Sequence, residues 1–293
     1  MSFTNHKITM NTTQFEKMAK IIYDRSGIHF PAAKKYIIES RLSHRITELE
    51  MENFDHYIAY LTMGPYQMEE FQELFNRITI NETSFFRNEA QLDVFENQIL
   101  PEMLDARSSC KRLRIWSAAC STGDEPFTLA MLLHRTLGAR LSDWCIEILG
   151  TDISEKALNI AQKGVYTAYS LRTTPNLIKT RYFKESGRDF ILDDTIRSMV
   201  TFEKHNLKDR MAAKRHGTWD IIFCRNVLIY FDDEMKHDVI SMFDNQLADD
   251  GTLFIGHSER IKAISDMFSH LKIPQGFCYQ KNEFVAGLDR KET

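Results

Sequence analysis

One stretch limits what this chain can become. Leu113-Arg-Ile-Trp-Ser-Ala-Ala-Cys-Ser-Thr-Gly-Asp-Glu-Pro-Phe-Thr-Leu-Ala-Met131 predicts a strand over Leu113 to Ala118, a tight turn around Gly123, and a helix beginning near Pro126. Proline suits the first helical position, where its missing N–H is harmless. Such a turn leaves free N–H groups at the carboxyl end of the strand, where open α/β sheets bind ligands. A second apolar run, Ile146-Glu-Ile-Leu-Gly-Thr-Asp152-Ile-Ser, ends in an acid. An acid after the second strand commonly takes the ribose hydroxyl pair of a nucleotide-like cofactor. The pair of runs predicts a Rossmann-like cofactor site. With a single glycine, the turn does not match the dinucleotide fingerprint and gives NAD little support.

Ahead of that unit, residues 12 to 80 hold no convincing strand. Phe15, Met18, Ala19, Ile22 and Tyr23 recur at helical spacing and stop at Ser26-Gly27. A second helix is expected from Pro31 to about Leu49, a third from Phe54 to Leu61 and a fourth from Met68 to about Ile78. Gln91 to Pro101 reads as a helix leading to the strand at Leu113. After Asp152 comes a helix over Glu155 to Lys163, and then the βα alternation breaks. From Tyr166 to about Val200, short strands and turn residues predict a small antiparallel insert. Alternation resumes with Val200 to Glu203, Trp219 to Cys224, a helix from Asp233 to Leu247, Thr252 to Gly256, and Gly276 to Tyr279. Asp249-Asp-Gly251 is expected to be a helix-to-strand turn, and the tail after Lys281 is polar and uninformative. The fold class is therefore α/β. A helical domain (residues 1–87) precedes a Rossmann-like domain (residues 88–293), whose mostly parallel sheet carries the antiparallel insert at about residues 166–200. A 293-residue chain that is 43% hydrophobic and 11% aromatic can bury both cores.

A net charge of −4 argues against bulk nucleic-acid or membrane-surface binding. No run reaches the roughly 18 apolar residues of a membrane span, and Met1 to Thr13 lacks a signal-peptide core. Five cysteines without a CxxC pair read as reduced thiols of a cytoplasmic protein, and no Cys/His spacing suits zinc. Locally the charge is different. From Lys34 to Thr47 there are four basic residues (Lys34, Lys35, Arg41, Arg45) against Glu39 alone, with Lys34, Arg41 and Arg45 on one shoulder of the helix. A solvated face and a docking surface for an acidic partner are both open readings.

Three further clusters fall where loops meet the expected cofactor site: Asn81-Glu-Thr83-Ser-Phe85-Phe86-Arg87, Asn206-Leu207, and Cys224-Arg225-Asn226-Val-Leu-Ile-Tyr230-Phe231. Singly, Asn206 is a plausible turn residue, Phe85-Phe86 a core staple, Arg87 a surface ion pair and Tyr230 a buried aromatic. Jointly, at strand ends and the domain junction, they point to one site.

These motifs, with Trp116 to Phe127, Gly150-Thr-Asp-Ile-Ser and Gly256-His-Ser-Glu259, resemble the CheR-type chemotaxis receptor methyltransferases over nearly the whole chain. Ala119 stands where many members have glycine, and Asp124 where they have glutamate. The resemblance implies S-adenosylmethionine as cofactor, S-adenosylhomocysteine as product, and a receptor glutamate side chain as methyl acceptor. Carried over, Asn81, Thr83, Arg87, Glu125, Asp152, Asn206, Leu207, Cys224 and Arg225 line the cofactor pocket, and Arg87 and Tyr230 face the reacting centre. Phe85-Phe86 are expected to wedge the helical bundle onto the sheet domain. The insert resembles a β-subdomain that docks a receptor's C-terminal pentapeptide in some members, and is expected to lie outside the active centre. The expected partners are the cytoplasmic helical regions of methyl-accepting chemotaxis receptors, met by Lys34, Arg41 and Arg45 on a monomeric bacterial enzyme. The chemistry agrees: an ionised carboxylate is a nucleophile at neutral pH, so alignment with a sulfonium methyl needs no general base, metal or covalent intermediate. Two other classes stay open, a module that binds the cofactor without turnover and a small-molecule methyltransferase. The basic helix and the insert favour a protein substrate.

Overall fold

The computed structural model describes residues 8–259 and 264–289. The chain divides into two compact units between Ile80 and Asn81, the first also taking Tyr230–Asp232.

The first unit is helical: α1 (Thr12–Ser26), α2 (Lys35–Glu48, entered through a 3-10 turn), α3 (Phe54–Met63) and α4 (Gln67–Ile78). Local signals set the bounds of α1. Asn11 and Gln14 form a capping box, and Gly27 ends the helix at φ 75°. Met18, Ile22, Leu42, Ile46, Phe54 and Leu74 form the core. One acid is buried within it. Glu70 accepts from the Tyr57 hydroxyl at 2.8 Å and from Arg45 through both oxygens, at 3.0 and 2.6 Å.

The second unit opens with a long helical run, α5 (Glu89–Val94), a π turn (Phe95–Ile99) and α6 (Leu100–Ala106). It is longer than Gln91 to Pro101. The helix survives Pro101 because the preceding turn widens, with the Leu100 N–H reaching back to the Phe95 carbonyl. The main sheet uses β1 (Arg112–Ala118), β2 (Cys145–Asp152), β6 (Val200–Lys204), β7 (Trp219–Cys224), β8 (Leu247–Ile255), β9 (Phe268–His270) and β10 (Cys278–Lys281) in the order β6-β2-β1-β7-β8-β10-β9. The first five are mutually parallel, and β10 and β9 are antiparallel additions. Helix α7 (Asp124–Leu137) follows β1, and α8 (Glu155–Lys163) follows β2. The insert is a separate antiparallel sheet of β3 (Val165–Thr167), β4 (Phe183–Ser186) and β5 (Asp189–Leu192), ordered β3-β5-β4, with Gly187 at φ 65° in the hairpin turn.

Three expectations need correction. Asp249-Asp-Gly251 is not a turn but part of β8, which runs past an irregular register opposite Trp219 and Ile221. Arg107 draws the acids in, holding Asp250 through two nitrogens and Asp220 through a third. Gly251 is there for closeness: a Cβ would lie 2.9 Å from the Asp220 carbonyl. The tail after Lys281 is not featureless either, since Asn282–Asp289 is helical. Phe85 and Phe86 belong to the core of the second unit. The Phe85 ring meets Tyr166 and Phe183 edge-on at 4.7 and 5.0 Å, and the Phe86 N–H bonds the Thr128 hydroxyl. Among the described residues no helix is long and apolar enough to cross a membrane.

Candidate functional site

The turn from β1 into α7 is tightly wound. Ala119, Ser121 and Gly123 all have left-handed backbones, at φ 64°, 51° and 85°. The Cys120 N–H is tied to the Thr151 carbonyl at 2.8 Å, so the turn is anchored to β2 as well. Glycine is needed at 123 on two counts, since a Cβ there would also lie 2.7 Å from that of Ala161. Ala119 has no such exemption. A side chain in this conformation costs about 1 kcal/mol. Ala119→Gly should therefore stabilise the protein by about 0.5 kcal/mol once the freer unfolded chain is allowed for. Urea denaturation checks this, and a lowered midpoint would show that the methyl packs usefully.

Two chains of hydrogen bonds converge on this turn. In the first, Asp152 at the end of β2 is 7% exposed, and its two oxygens accept the Ser121 and Ser154 N–H groups, both at 2.8 Å. The Ser121 hydroxyl continues to the Asn81 carbonyl at 3.2 Å. Burial raises the Asp152 carboxyl above its ordinary range, against the backbone N–H groups that favour its charged form. In the second chain, Glu125 takes the Ser117 hydroxyl at 2.7 Å and Arg225 at 3.0 Å. Arg225 donates onward to the Arg87 carbonyl at 2.7 Å, while the Arg87 guanidinium donates to the Glu82 carbonyl at 2.9 Å. Glu125 is the second residue of α7.

The other candidates lie around these chains. Cys224 is fully buried at the end of β7, and burial pushes its thiol up. Leu207 is buried, and Asn206 accepts the Lys208 N–H, as a turn residue does. The preceding residue's N–H, that of His205, bonds the Asp152 carbonyl at 3.0 Å, which brings that turn to the same strand ends. The Thr83 carbonyl accepts from Arg172. Tyr230 falls with the helical unit, where its carbonyl accepts the His29 N–H at 2.8 Å.

The basic stripe is not three free charges. Arg45 is bound to Glu70 and Glu48, and Arg41 caps the end of α4 through the Ile78 and Thr79 carbonyls. Lys34 is exposed. Reversing Arg41 and Arg45 would strip partners from a buried carboxylate and from helix-end carbonyls, so it would not isolate a docking effect.

Sequence reasoning also passed over residues that organise the site. Ser121 acts mainly through its backbone N–H, for which no side-chain signal exists. Glu259 accepts the Gly256, Asn226 and Leu228 N–H groups at 2.7 to 2.8 Å and so fixes the loop carrying Arg225. The Gly256-His-Ser-Glu259 motif was its visible trace.

Asp124 gives the unit a pH signature. It is fully buried at the start of α7, with Thr122 on one oxygen and no partner on the other. Burial pushes its carboxyl up to about 6 from 3.8. His205 moves the other way, down to about 4 from 6.5, through burial and then the neighbouring His216. The folded state therefore binds the Asp124 proton more tightly, and this contribution to stability is lost as pH rises through about 6. It binds the His205 proton less tightly, and that contribution is lost as pH falls from 6.5 toward about 4. The two slopes oppose each other across one window. Asp124→Asn removes only the first, so its stability should fall more steeply than wild type between pH 7 and 4.5, by about 1.4 kcal/mol per unit of lost shift. Denaturation midpoints at a series of pH values check this, and parallel curves would rule it out.

Comparison with known proteins covers both units. The family description "CheR methyltransferase, SAM binding domain" matches residues 81–277, and "CheR methyltransferase, all-alpha domain" matches residues 13–79. "Chemotaxis protein methyltransferase 2" of Vibrio cholerae is 35% identical over 268 residues, 91% of this chain and 92% of that one. The chemotaxis protein methyltransferase of Borreliella burgdorferi is 35% identical over 261 residues, 88% and 92% of the two chains. That of Escherichia coli is 32% identical over 274 residues, 91% and 88%.

Proposed function

The chain belongs to the CheR methyltransferase family, with an S-adenosylmethionine-binding domain, and from that premise we propose that it methylates glutamate side chains of chemotaxis receptors. The observation that carries the proposal is the convergence of the Asp152–Ser121–Asn81 and Glu125–Arg225–Arg87 chains on one turn. The donor set fits the cofactor. Asp152 offers acceptors for a ribose hydroxyl pair, and Glu125 sets a negative charge beside the turn for a cationic ligand. The Arg225 Nε is buried without a partner, as befits a group meant for a bound molecule.

When bound, S-adenosylmethionine supplies a methyl group already activated by its sulfonium. The chain's own residues hold and aim. Asp152 and Asn81 hold the nucleoside side of the pocket, with Asn206, Leu207, Thr83 and Cys224 around it. Arg225 keeps Glu125 and the Arg87 backbone in fixed relation. Arg87 orients the incoming carboxylate by charge-assisted hydrogen bonds and leaves one lone pair directed at the methyl. A receptor glutamate, with a reference pKa of about 4.3, arrives ionised and needs no base. The insert and the Lys34 end of α2 meet the receptor.

The test is transfer of tritiated methyl from S-adenosylmethionine to receptor-containing membranes. Base-labile label on a receptor-sized band is expected. Label that resists mild base would exclude a glutamate ester, and binding of S-adenosylhomocysteine without any transfer would favour a module that binds without turnover.

A further inference from the structure

Asn81 to Asn88 is an irregular segment under strain, with Phe86 and Asn88 at φ 56° and 64° although neither is glycine. Such conformations persist only where surrounding contacts over-determine them. On one side the contacts are those of the site, Ser121 to the Asn81 carbonyl and Arg225 to the Arg87 carbonyl. On the other side stands the root of the insert, between β3 and the helix Asn176–Tyr182. The Phe85 N–H bonds the Ser170 carbonyl at 3.0 Å, and the Thr173 hydroxyl bonds the Phe85 carbonyl at 2.6 Å.

Glu82 is the junction. Its carboxylate oxygen accepts the Tyr169 hydroxyl at 2.9 Å and Arg172 at 2.7 Å. The Arg172 guanidinium lies 4.0 Å over the Tyr169 ring, and its other nitrogen donates to the Thr83 and Tyr169 carbonyls. Glu82's own carbonyl holds the Arg87 guanidinium at 2.9 Å. An isolated ion pair as open as Glu82–Arg172, with side chains 52% and 33% exposed, would contribute little. Here one planar fork is stacked on a ring, shared between a carboxylate and two carbonyls, and so fixed in direction.

We propose that Arg172, with Tyr169, is a positioning residue for the methyl-transfer reaction, acting through Glu82 to aim Arg87. The insert root is then part of the active framework, where sequence placed the whole insert outside the active centre. The idea rests on the role proposed above for Arg87, and its test has one arm that does not depend on that role.

The first arm is amide hydrogen exchange on the protein without added ligand. Arg172→Met should speed exchange at Phe85–Asn88 by about ten-fold or more while leaving α7 and β1 unchanged. Unchanged exchange in the segment overturns the proposal whatever the enzyme does. The second arm measures single-turnover receptor methylation with Arg172→Met in wild-type and Arg87→Ala backgrounds. We expect a roughly ten-fold loss in the first and less than two-fold in the second. The same fractional loss in both would mean that Arg172 acts independently of Arg87, and would overturn the proposal. Should Arg172→Met fail to fold, Tyr169→Phe removes only the hydroxyl on Glu82 and should give a smaller loss with the same dependence on background. A wild-type protein that labels no receptor defeats the receptor reading instead, and the exchange arm alone then decides for or against the clasp.

Discussion

Replacing Asp152 by alanine is expected to weaken S-adenosylhomocysteine binding by about ten- to a hundred-fold, ~1.5–3 kcal/mol, as befits hydrogen bonds to a charged partner. The Asp152 oxygens accept the Ser121 and Ser154 N–H groups, and the Ile153 N–H is a third backbone donor to the same carboxylate, which still leaves acceptor capacity for a ligand hydroxyl. The substitution therefore removes ribose acceptors and loosens the Ser121 end of the turn together. Asp152→Asn separates the two effects. It keeps one acceptor but sets an amide N–H₂ against a backbone donor, so affinity should fall about as far as in the alanine variant while charge-independent packing is preserved. Because burial raises this carboxyl, wild-type affinity should also weaken on acidification before an ordinary aspartate would protonate. Calorimetric titration at two pH values checks both points. Unchanged affinity in a folded Asp152→Ala protein would remove Asp152 from the pocket.

Much of this framework is legible in the sequence because its signals are local. The helix Glu155–Lys163 is bounded by a serine whose side chain accepts the Ala157 N–H and by Gly164 in a left-handed cap, both visible in the letters. β1 and β2 announce themselves as apolar runs ending at a glycine turn and an acid. What escaped is non-local. Asp249-Asp-Gly251 carries every turn signal, yet Arg107, far away in sequence, holds its acid within β8. Arg41 and Arg45 look like surface charge until Glu70 and the end of α4 fold beneath them. β9, only Phe268 to His270, is a short edge strand that its pairing with β10 defines better than its composition does. Within the site, the side chains with family-specific motifs were legible. The roles played through the backbone, Ser121 donating its own N–H to Asp152, Glu259 accepting N–H groups and Arg172 donating to carbonyls, were not, because a backbone group has no side-chain identity to read.

Arg87 is where binding and turnover should separate. Its backbone carbonyl is fixed by Arg225 and its guanidinium by the Glu82 carbonyl, so the head group enters the site from a defined origin. Arg87→Lys keeps the charge but loses the planar fork that can meet a carboxylate along two lines. The receptor glutamate would still be attracted, and would no longer be held with one lone pair facing the methyl. We expect kcat to fall at least ~10-fold, about 1.4 kcal/mol of lost alignment, and further in Arg87→Ala. S-adenosylhomocysteine affinity should fall less, since Asp152, Asn81 and Glu125 are held by bonds that do not use the Arg87 side chain. Single-turnover methylation at saturating receptor, set beside a binding isotherm on the same preparation, makes the comparison. Equal losses in the two would make Arg87 a clamp on the cofactor alone, and the orientation of the glutamate would have to come from elsewhere in the site.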